Sequence, residues 1–254
     1  MAGISLAVRW WRKAKSCKVS ASRGKGGAYI AGLDSETGKE AWRFYTIARP
    51  DEPGGNSWNG LPLEQRSGGS VWTAGSYDPD LNLVFFGPAP TYDTGPLRNS
   101  VGRPGVTNDA LYTNATVAID PDTGKIVWYY QHVPNDQWDL DWSFERQIVS
   151  LRGATGQQKK FVVTSGKPGV YDALEADTGK YVFSFDMGLQ NFITSIDPIT
   201  GRKTIDPKLI PGTGQPMSCA PTPAVDEAGF QVHTIRIQRF FMFRRLKRAW
   251  ISIP

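Results

Sequence analysis

The segment VAIDPDTGKIVWYY, residues 117–130, has the pattern of two short strands joined by a tight turn and is the strongest indication of the fold class. Asp followed by Pro starts a turn, Thr can bond the turn backbone, and Gly supplies the positive φ that closes a hairpin. The β-branched and aromatic residues on either side are typical of strands. A single hairpin cannot bury its own face, so the stretch predicts a larger, repeated β-structure.

The same pattern returns as AGLDSETGKEAWRF at residues 31–44 and as DALEADTGKYVFSF at residues 172–185. Each full copy has an aromatic residue three positions after its lysine: Trp42, Trp128 and Phe183. Two weaker copies, residues 195–203 and 76–87, keep the turn chemistry, and the second has Asn82 in place of the glycine. The irregular spacing favours radially arranged blades over a strict solenoid, and the aromatic residue is expected to pack between neighbouring sheets.

The composition also favours an all-β fold. The chain has 254 residues and is 40% hydrophobic, which is enough for a sizeable core. Gly (27), Pro (18) and Trp (9) are plentiful while Met (4) is scarce, a balance that suits short strands and tight turns better than a helical bundle.

The formal net charge of +5 comes from the two ends of the chain. Residues 1–25 contain seven Lys or Arg and residues 229–254 contain six, with no acidic residue in either segment, so the rest of the chain has a net charge of −8. A surface that binds nucleic acid should lie on the folded core, and the charge pattern therefore argues against it. No stretch reaches the 18 apolar residues of a membrane span, although residues 235–254 have a second, less regular interpretation as a basic amphipathic helix.

The repeats resemble the tryptophan-docking motifs of the quinoprotein dehydrogenases, and the resemblance runs from residue 26 to about residue 220. It implies an eight-bladed β-propeller of four-stranded sheets, of which this chain would hold about four blades as an incomplete ring. The expected division is an atypical basic segment at 1–25, a partial propeller at 26–228, and a second atypical basic segment at 229–254. We interpret the chain as a fragment whose ends were read in another frame or joined from unrelated sequence.

The segment GGSVW, residues 68–72, resembles the cofactor segment of that family. The resemblance implies that Trp72 lies under the ring of pyrroloquinoline quinone (PQQ) and that Ser70 is a hydroxyl contact. A flat tricyclic acid needs a π-face below it and hydrogen-bond donors at its rim, and an indole is a rigid face. The alternative is that Trp72 is one more core aromatic residue.

The segment QHVPNDQWDLDWSFE, residues 131–145, resembles the family stretch that ends in Trp-Asp. The resemblance implies that Asp139 is the general base and that Asp141 matches an extra Asp typical of lanthanide-using members. If the segment is a strand, positions i and i+2 face the same way, so both carboxylates are expected to bind one Ca²⁺ or lanthanide ion. The alternative is a solvated turn rich in acids and Trp.

Lys167 matches a family cation at the quinone oxygens, where a fixed positive charge would stabilise the reduced cofactor. A lone lysine is otherwise a surface residue. The sequence departs from the family at the metal: Pro90 stands where an Asn ligand is expected, and residues 15–28 contain no Glu ligand. Thr91 or Asp93 are the alternatives for the lost Asn.

The resemblance implies that the chain is part of a periplasmic PQQ-dependent enzyme that oxidises a primary alcohol or a similar substrate to an aldehyde, with a cytochrome c as a candidate electron acceptor. No export signal is visible in the sequence. The alternative is a non-catalytic β-propeller scaffold that binds other proteins. The acid pair and GGSVW favour the enzyme, whereas Pro90 and the lost Glu favour the scaffold.

Overall fold

The computed structural model describes residues 7–9, 15–19, 26–152 and 156–210. Within these residues the regular structure consists of strands and 3₁₀ turns. In chain order the strands are β1 (Ala7–Arg9), β2 (Lys15–Val19), β3 (Tyr29–Asp34), β4 (Glu40–Tyr45), β5 (Ser76–Asp78), β6 (Leu83–Phe86), β7 (Ala115–Ile119), β8 (Ile126–Gln131), β9 (Gln147–Arg152), β10 (Gln158–Ser165), β11 (Val170–Glu175), β12 (Tyr181–Asp186), β13 (Ile193–Ile196) and β14 (Lys203–Ile205). The 3₁₀ turns are Gly55–Ser57, Leu63–Gln65, Gly95–Leu97 and Pro207–Leu209.

The strands form antiparallel sheets in which neighbours in sequence are neighbours in space. Three sheets have four strands, β1 to β4, β5 to β8 and β9 to β12, and β13 pairs with β14 as a hairpin. The prediction of an all-β fold is confirmed. Residues 211–254 and most of residues 1–25 lie outside the described residues, so the predicted boundaries after residues 25 and 228 stay predictions.

The chain divides into two compact units. The first unit contains the sheets β1 to β4 and β5 to β8 together with the turn Asp177–Gly179, and the second contains the remaining strands from Ile148 onward. The core of the first unit is made of buried side chains from several segments, among which Ile30, Trp58, Val84 and Phe86 are less than 2% exposed. Burial of each large apolar side chain stabilises the folded state by about 1.5–3 kcal/mol.

The predicted Thr-Gly-Lys turns are hairpin turns in the structure. In the first copy, Asp34 Oδ1 accepts the backbone N–H and the hydroxyl of Thr37, both at 2.8 Å, and Gly38 has a φ of +68°. In the copy at 76–87, Asn82 takes the position of the glycine with a φ of +51°. Gly and Asn tolerate this left-handed conformation, which confirms the turn chemistry read from the sequence.

A β-bulge recurs after the turn and orients the repeat aromatic residue. In the first copy, Gly32 pairs with Trp42 and Leu33 pairs with Glu40, so Ala41 is the extra residue. In the second copy, Ala118 pairs with Trp128 and Ile119 pairs with Ile126, so Val127 is the extra residue. The residue paired with each indole is small, Gly32 or Ala118, and at Gly32 the Trp42 ring occupies the place of a side chain.

Trp42 and Trp128 also confirm that the repeat aromatic residue contacts a neighbouring repeat. Trp42 Nε1 donates to Pro121 O at 2.8 Å, in the turn between β7 and β8. Within the same compact unit, Trp128 lies against Gly179, where a Cβ would be 2.5 Å from the ring. These residues are architectural. A membrane-spanning helix is absent from the part of the chain that the structure describes.

Candidate active site

The segment Gly68–Trp72 runs beside the residues that follow β6. Gly69 N donates to Pro90 O at 3.2 Å, and Ala89 N donates to Ser70 O at 2.8 Å. A Cβ on Gly68 would lie 2.5 Å from Thr91 Cα, and Gly68 has a φ of +102°. Glycine is needed here both for the conformation and for the close approach of the neighbouring backbone.

Hydroxyl groups collect around this segment. Ser70 is buried, with 1% exposure, and its Oγ hydrogen-bonds the Tyr92 hydroxyl. Thr91 Oγ1 donates to Ser67 O at 2.9 Å. The hydroxyls of Thr46 and Ser67 are buried and have no hydrogen-bond partner among the described residues. A buried polar atom without a partner is costly, so these two hydroxyls are groups that a polar ligand could satisfy.

Trp72 is half-buried and meets the segment that carries the acid pair. Its ring packs edge-to-face on Phe144, with centroids 5.3 Å apart and an interplanar angle of 90°. The neighbouring Thr73 Oγ1 donates to Ser143 O. These two contacts connect the indole segment with the acid segment. Within the acid segment, Ser143 Oγ lies 3.5 Å from Asp141 Oδ1.

The expectation that Asp139 and Asp141 lie on a strand is wrong. Residues 132–146 form an irregular loop between β8 and β9, and Asp139 and Asp141 have φ values of +65° and +44°. Asp139 is exposed, whereas Asp141 is buried with 8% exposure. The alternation that would make both carboxylates face one side of a strand does not apply here.

The loop is not a strand because its N–H groups are held by a side chain. Asp136 Oδ1 accepts from Trp138 N at 2.8 Å, and Asp136 Oδ2 accepts from Leu140 N at 2.7 Å. A carboxylate that bonds nearby N–H groups competes with sheet pairing. Each such bond is worth about 1.5–3 kcal/mol, which offsets the roughly 1–2 kcal/mol that a left-handed non-glycine residue costs.

The far end of the loop is held by Arg146, which sequence reasoning missed. Its guanidinium is buried and donates to Trp142 O at 2.5 Å, to Ala115 O at 2.8 Å and to Phe144 O. A side chain on Gly87 would collide with it. Burial lowers the pKa of Arg146 to about 9. Nothing in the sequence distinguishes this arginine from the surface arginines, because only the fold brings three carbonyl groups to it.

Asp136 was also missed, although the sequence carried a weak signal. Its hydrogen bond from the N–H two residues later forms an Asx-turn, a motif that Asp commonly forms in loops. Burial raises the pKa of Asp136 above its ordinary value, although the hydrogen bonds from Trp138 N and Leu140 N act in the opposite direction. Its third partner, Asn114, lies just before β7 and is far away in sequence.

The described residues do not complete the predicted metal site. They contain no group of three or more His, Cys, Asp or Glu side chains that could hold a metal ion. Pro90 has no side-chain donor, its carbonyl accepts from Gly69 N, and Asp93 is exposed. Asp139 and Asp141 alone are too few oxygen ligands for a Ca²⁺ site.

The residues predicted to contact a quinone fit their ligand better than the acid pair fits a metal ion. A half-buried indole and the buried hydroxyls around Ser70 are a π-face and hydrogen-bonding groups of the kind that a flat polar acid requires. Lys167 belongs to the second compact unit, where it is exposed in the turn between β10 and β11.

Comparison with known proteins agrees with this chemistry. The family profile for PQQ, described as the β-propeller domain of glucose/ethanol/alcohol dehydrogenase, matches residues 14–188. The chain is 33% identical over 206 residues to the dehydrogenase subunit of the quinone alcohol dehydrogenase of Gluconobacter oxydans (strain 621H), a match that covers 72% of this chain and 26% of that protein. It is 32% identical over 201 residues to the quinohemoprotein alcohol dehydrogenase ADH-IIG of Pseudomonas putida, covering 72% and 27%.

Among solved structures, the quinohemoprotein alcohol dehydrogenase ADHIIG of Pseudomonas putida HK5 has a TM-score of 0.67 and 29% identity, over 77% of this chain and 29% of that one. The predicted β-propeller type is confirmed by these matches. The chain spans about a quarter of the length of the curated relatives that it matches.

Proposed function

We propose that this chain, which belongs to the PQQ β-propeller family of glucose, ethanol and alcohol dehydrogenases, forms part of an enzyme. That enzyme oxidises a primary alcohol or a similar substrate to an aldehyde. The observation that carries the proposal is the contact between the Trp72 segment and the acid loop, through Phe144 and Ser143. Because of this contact, the segment with the Trp72 indole and the loop with the two carboxylates are neighbours within one compact unit.

The role of Asp139 follows from the chemistry of alcohol oxidation. A hydride can leave the alcohol carbon only as the hydroxyl proton departs, so a carboxylate beside the substrate is required as a general base. PQQ, when bound, supplies the hydride acceptor. Asp139 is the exposed member of the acid pair and is accessible to a substrate, whereas Asp141 is buried.

Trp72 and Ser70 are proposed to hold the cofactor. The indole contributes a rigid face with little conformational entropy to lose, and the Ser70 hydroxyl contributes a hydrogen bond at the rim. Lys167 remains a proposed contact of the quinone oxygens. Asp139 and Asp141 remain proposed ligands of a Ca²⁺ or lanthanide ion, but no catalytic step is assigned to a metal because the donor set of the described residues is incomplete.

We extend the proposal to a periplasmic location and a cytochrome c as electron acceptor, which the family resemblance implies. Both belong to the proposal for the whole enzyme.

The proposal is tested by titrating the protein expressed from its complete gene with PQQ in the presence of Ca²⁺ or La³⁺. Binding is followed by quenching of Trp fluorescence, and turnover by dye reduction with ethanol. Trp72→Leu is expected to lose most of the quenching. Asp139→Asn is expected to keep the quenching and to lose dye reduction by about 10²-fold or more, the contribution of a positioned base.

The matched control is Asp51→Asn, which removes the charge of another exposed aspartate. It is expected to behave as the wild type in both measurements. A wild-type protein that neither quenches nor reduces the dye would contradict the proposal and favour the non-catalytic scaffold.

A further inference from the structure

Asp136 is a buried carboxylate to which the proposed reaction assigns no role. It is 1% exposed and accepts three hydrogen bonds, from Trp138 N at 2.8 Å, Leu140 N at 2.7 Å and Asn114 Nδ2 at 2.6 Å. All three donors lie on the loop that carries the acid pair or on the residue before β7. The carboxylate is therefore the centre of the loop's internal hydrogen bonding.

Asn114 extends this arrangement by one more residue. It is fully buried, and while its Nδ2 donates to Asp136, its Oδ1 accepts from Trp142 N at 3.1 Å. The amide side chain thus ties the middle of the loop to its end. Because Asn114 directly precedes β7, it also joins the loop to the rigid sheet.

The pattern of the bonds matters more than their number. The N–H groups of residues 138, 140 and 142 are all held by Asp136 and Asn114. The two residues between them are Asp139 and Asp141, and both have positive φ values. Holding every second N–H in this way fixes the backbone on both sides of each acid.

We propose that Asp136 and Asn114 are positioning residues that hold Asp139 and Asp141 in the geometry the reaction needs. The inference rests on the proposed function, because it gives the acid pair its task. Asp136 and Asn114 are buried, with 1% and 0% exposure, so they are not accessible to a substrate and act through the backbone of the loop.

The test compares Asp136→Asn, Asn114→Asp and the double variant. In Asp136→Asn an NH₂ group replaces one carboxylate oxygen, so a donor then faces either Trp138 N or the pair of donors Leu140 N and Asn114 Nδ2, depending on how the amide is turned. Asn114→Asp instead sets two carboxylates against each other at the distance of the present hydrogen bond. The double variant restores a donor and an acceptor between positions 114 and 136, so it is expected to recover part of what Asn114→Asp loses.

The first readout is amide hydrogen exchange of residues 131–146, which needs neither cofactor nor substrate. Faster exchange at Trp138 or Leu140, whichever N–H faces the new NH₂ group, is expected in Asp136→Asn, with partial recovery in the double variant relative to Asn114→Asp. The second readout is the kinetics of PQQ-dependent dye reduction. Misplacement of the base is expected to lower kcat by about 10- to 100-fold and to leave KM within about threefold.

Asp109→Asn is the matched control, because Asp109 is a half-buried aspartate whose carboxylate accepts from the Thr107 hydroxyl at 2.7 Å and from no N–H group of the acid loop. Its backbone carbonyl does accept from Asn135 N, but the substitution leaves that bond in place. It should leave both readouts at wild-type values. If Asp136→Asn does not fold, Asn114→Ala keeps the two backbone bonds of Asp136 and should show a smaller loss in kcat of the same kind.

Two results would overturn the inference: unchanged exchange in the loop, or faster exchange with unchanged kcat, which would make Asp136 a purely structural residue. An inactive wild type is a failure of the proposed function and removes the inference with it. Activity in the wild type with no loss in the variants is a failure of the inference alone.

Discussion

The indole of Trp42 occupies the space that a side chain on Gly124 would need, since a Cβ on Gly124 would lie 2.6 Å from Trp42 Cδ2. Gly38 stands at the same position of its own Thr-Gly-Lys turn with a similar φ, but no atom of the described residues lies within 4 Å of its Cβ position. The two glycines therefore separate the cost of the backbone conformation from the cost of the docked ring.

Gly124→Ala is expected to lower the free energy of unfolding by about 1–3 kcal/mol more than Gly38→Ala. Both variants bear the cost of a left-handed alanine, about 1–2 kcal/mol, but only Gly124→Ala must also displace an indole. Urea unfolding of the two variants measures the difference. Equal losses would show that the Trp42 contact does not restrict position 124.

The buried ion pair of the second unit offers a test of its packing. Lys203 Nζ lies 2.7 Å from Asp172 Oδ2, and both side chains are fully buried. Lys203→Met is expected to destabilise the protein by about 3–5 kcal/mol, because it leaves Asp172 charged and buried. Adding Asp172→Asn should recover at least half of that loss in thermal or urea unfolding.

The half-buried pair Lys159–Glu175 is the control for this experiment. Lys159→Met is expected to cost no more than about 1 kcal/mol, because water screens a pair near the surface. A comparable loss for Lys159→Met and Lys203→Met would contradict the importance given to burial.

The turn at Asp197 has an expected pH dependence. Hydrogen bonds from the N–H and hydroxyl of Thr200 lower the pKa of Asp197 below its ordinary value of 3.8. Since the unfolded chain then binds the proton more readily, this turn stabilises the folded state above about pH 4 and loses that contribution as the pH falls below it. An NMR titration of the Asp197 carboxyl carbon checks the direction. Thr200→Val should move the pKa back toward 3.8, and an unchanged pKa would contradict the assignment.

The hydrogen bond between the hydroxyls of Ser70 and Tyr92 predicts coupled effects on cofactor binding. If Ser70 contacts PQQ and Tyr92 orients it, Ser70→Ala should weaken PQQ binding about fivefold, the equivalent of one neutral hydrogen bond. Tyr92→Phe should weaken it less, and the double variant should be no worse than Ser70→Ala. Fluorescence titration with PQQ measures all three, and strictly additive effects would argue against a shared role.

Much of the fold could be predicted from the sequence because its signals are local. The Asp, Thr and Gly of each turn act within five residues of one another, and the strand residues beside them have strong β-preferences. The docking of Trp42 on a neighbouring turn was also predictable, because repetition of the motif implies that identical units pack side by side.

The candidate site was predicted only in part. Ser70 and Trp72 were found through the resemblance, and the structure shows that their segment contacts the acid loop. The strand expected at Asp139 and Asp141 was wrong, because periodicity carries no information about a buried carboxylate that draws the N–H groups of the loop to itself.

The hairpins, their repetition and the all-β class are therefore encoded locally, since they depend on interactions between residues a few positions apart. The conformation of the acid loop depends instead on contacts that exist only in the folded protein. The loop forms hydrogen bonds with Asn114 and with the carbonyl of Ala115, which accepts from Arg146. Both partners lie at the start of β7, outside the loop. Long-range polar contacts of this kind form only when folding brings the groups together and removes water from them, which no local pattern records.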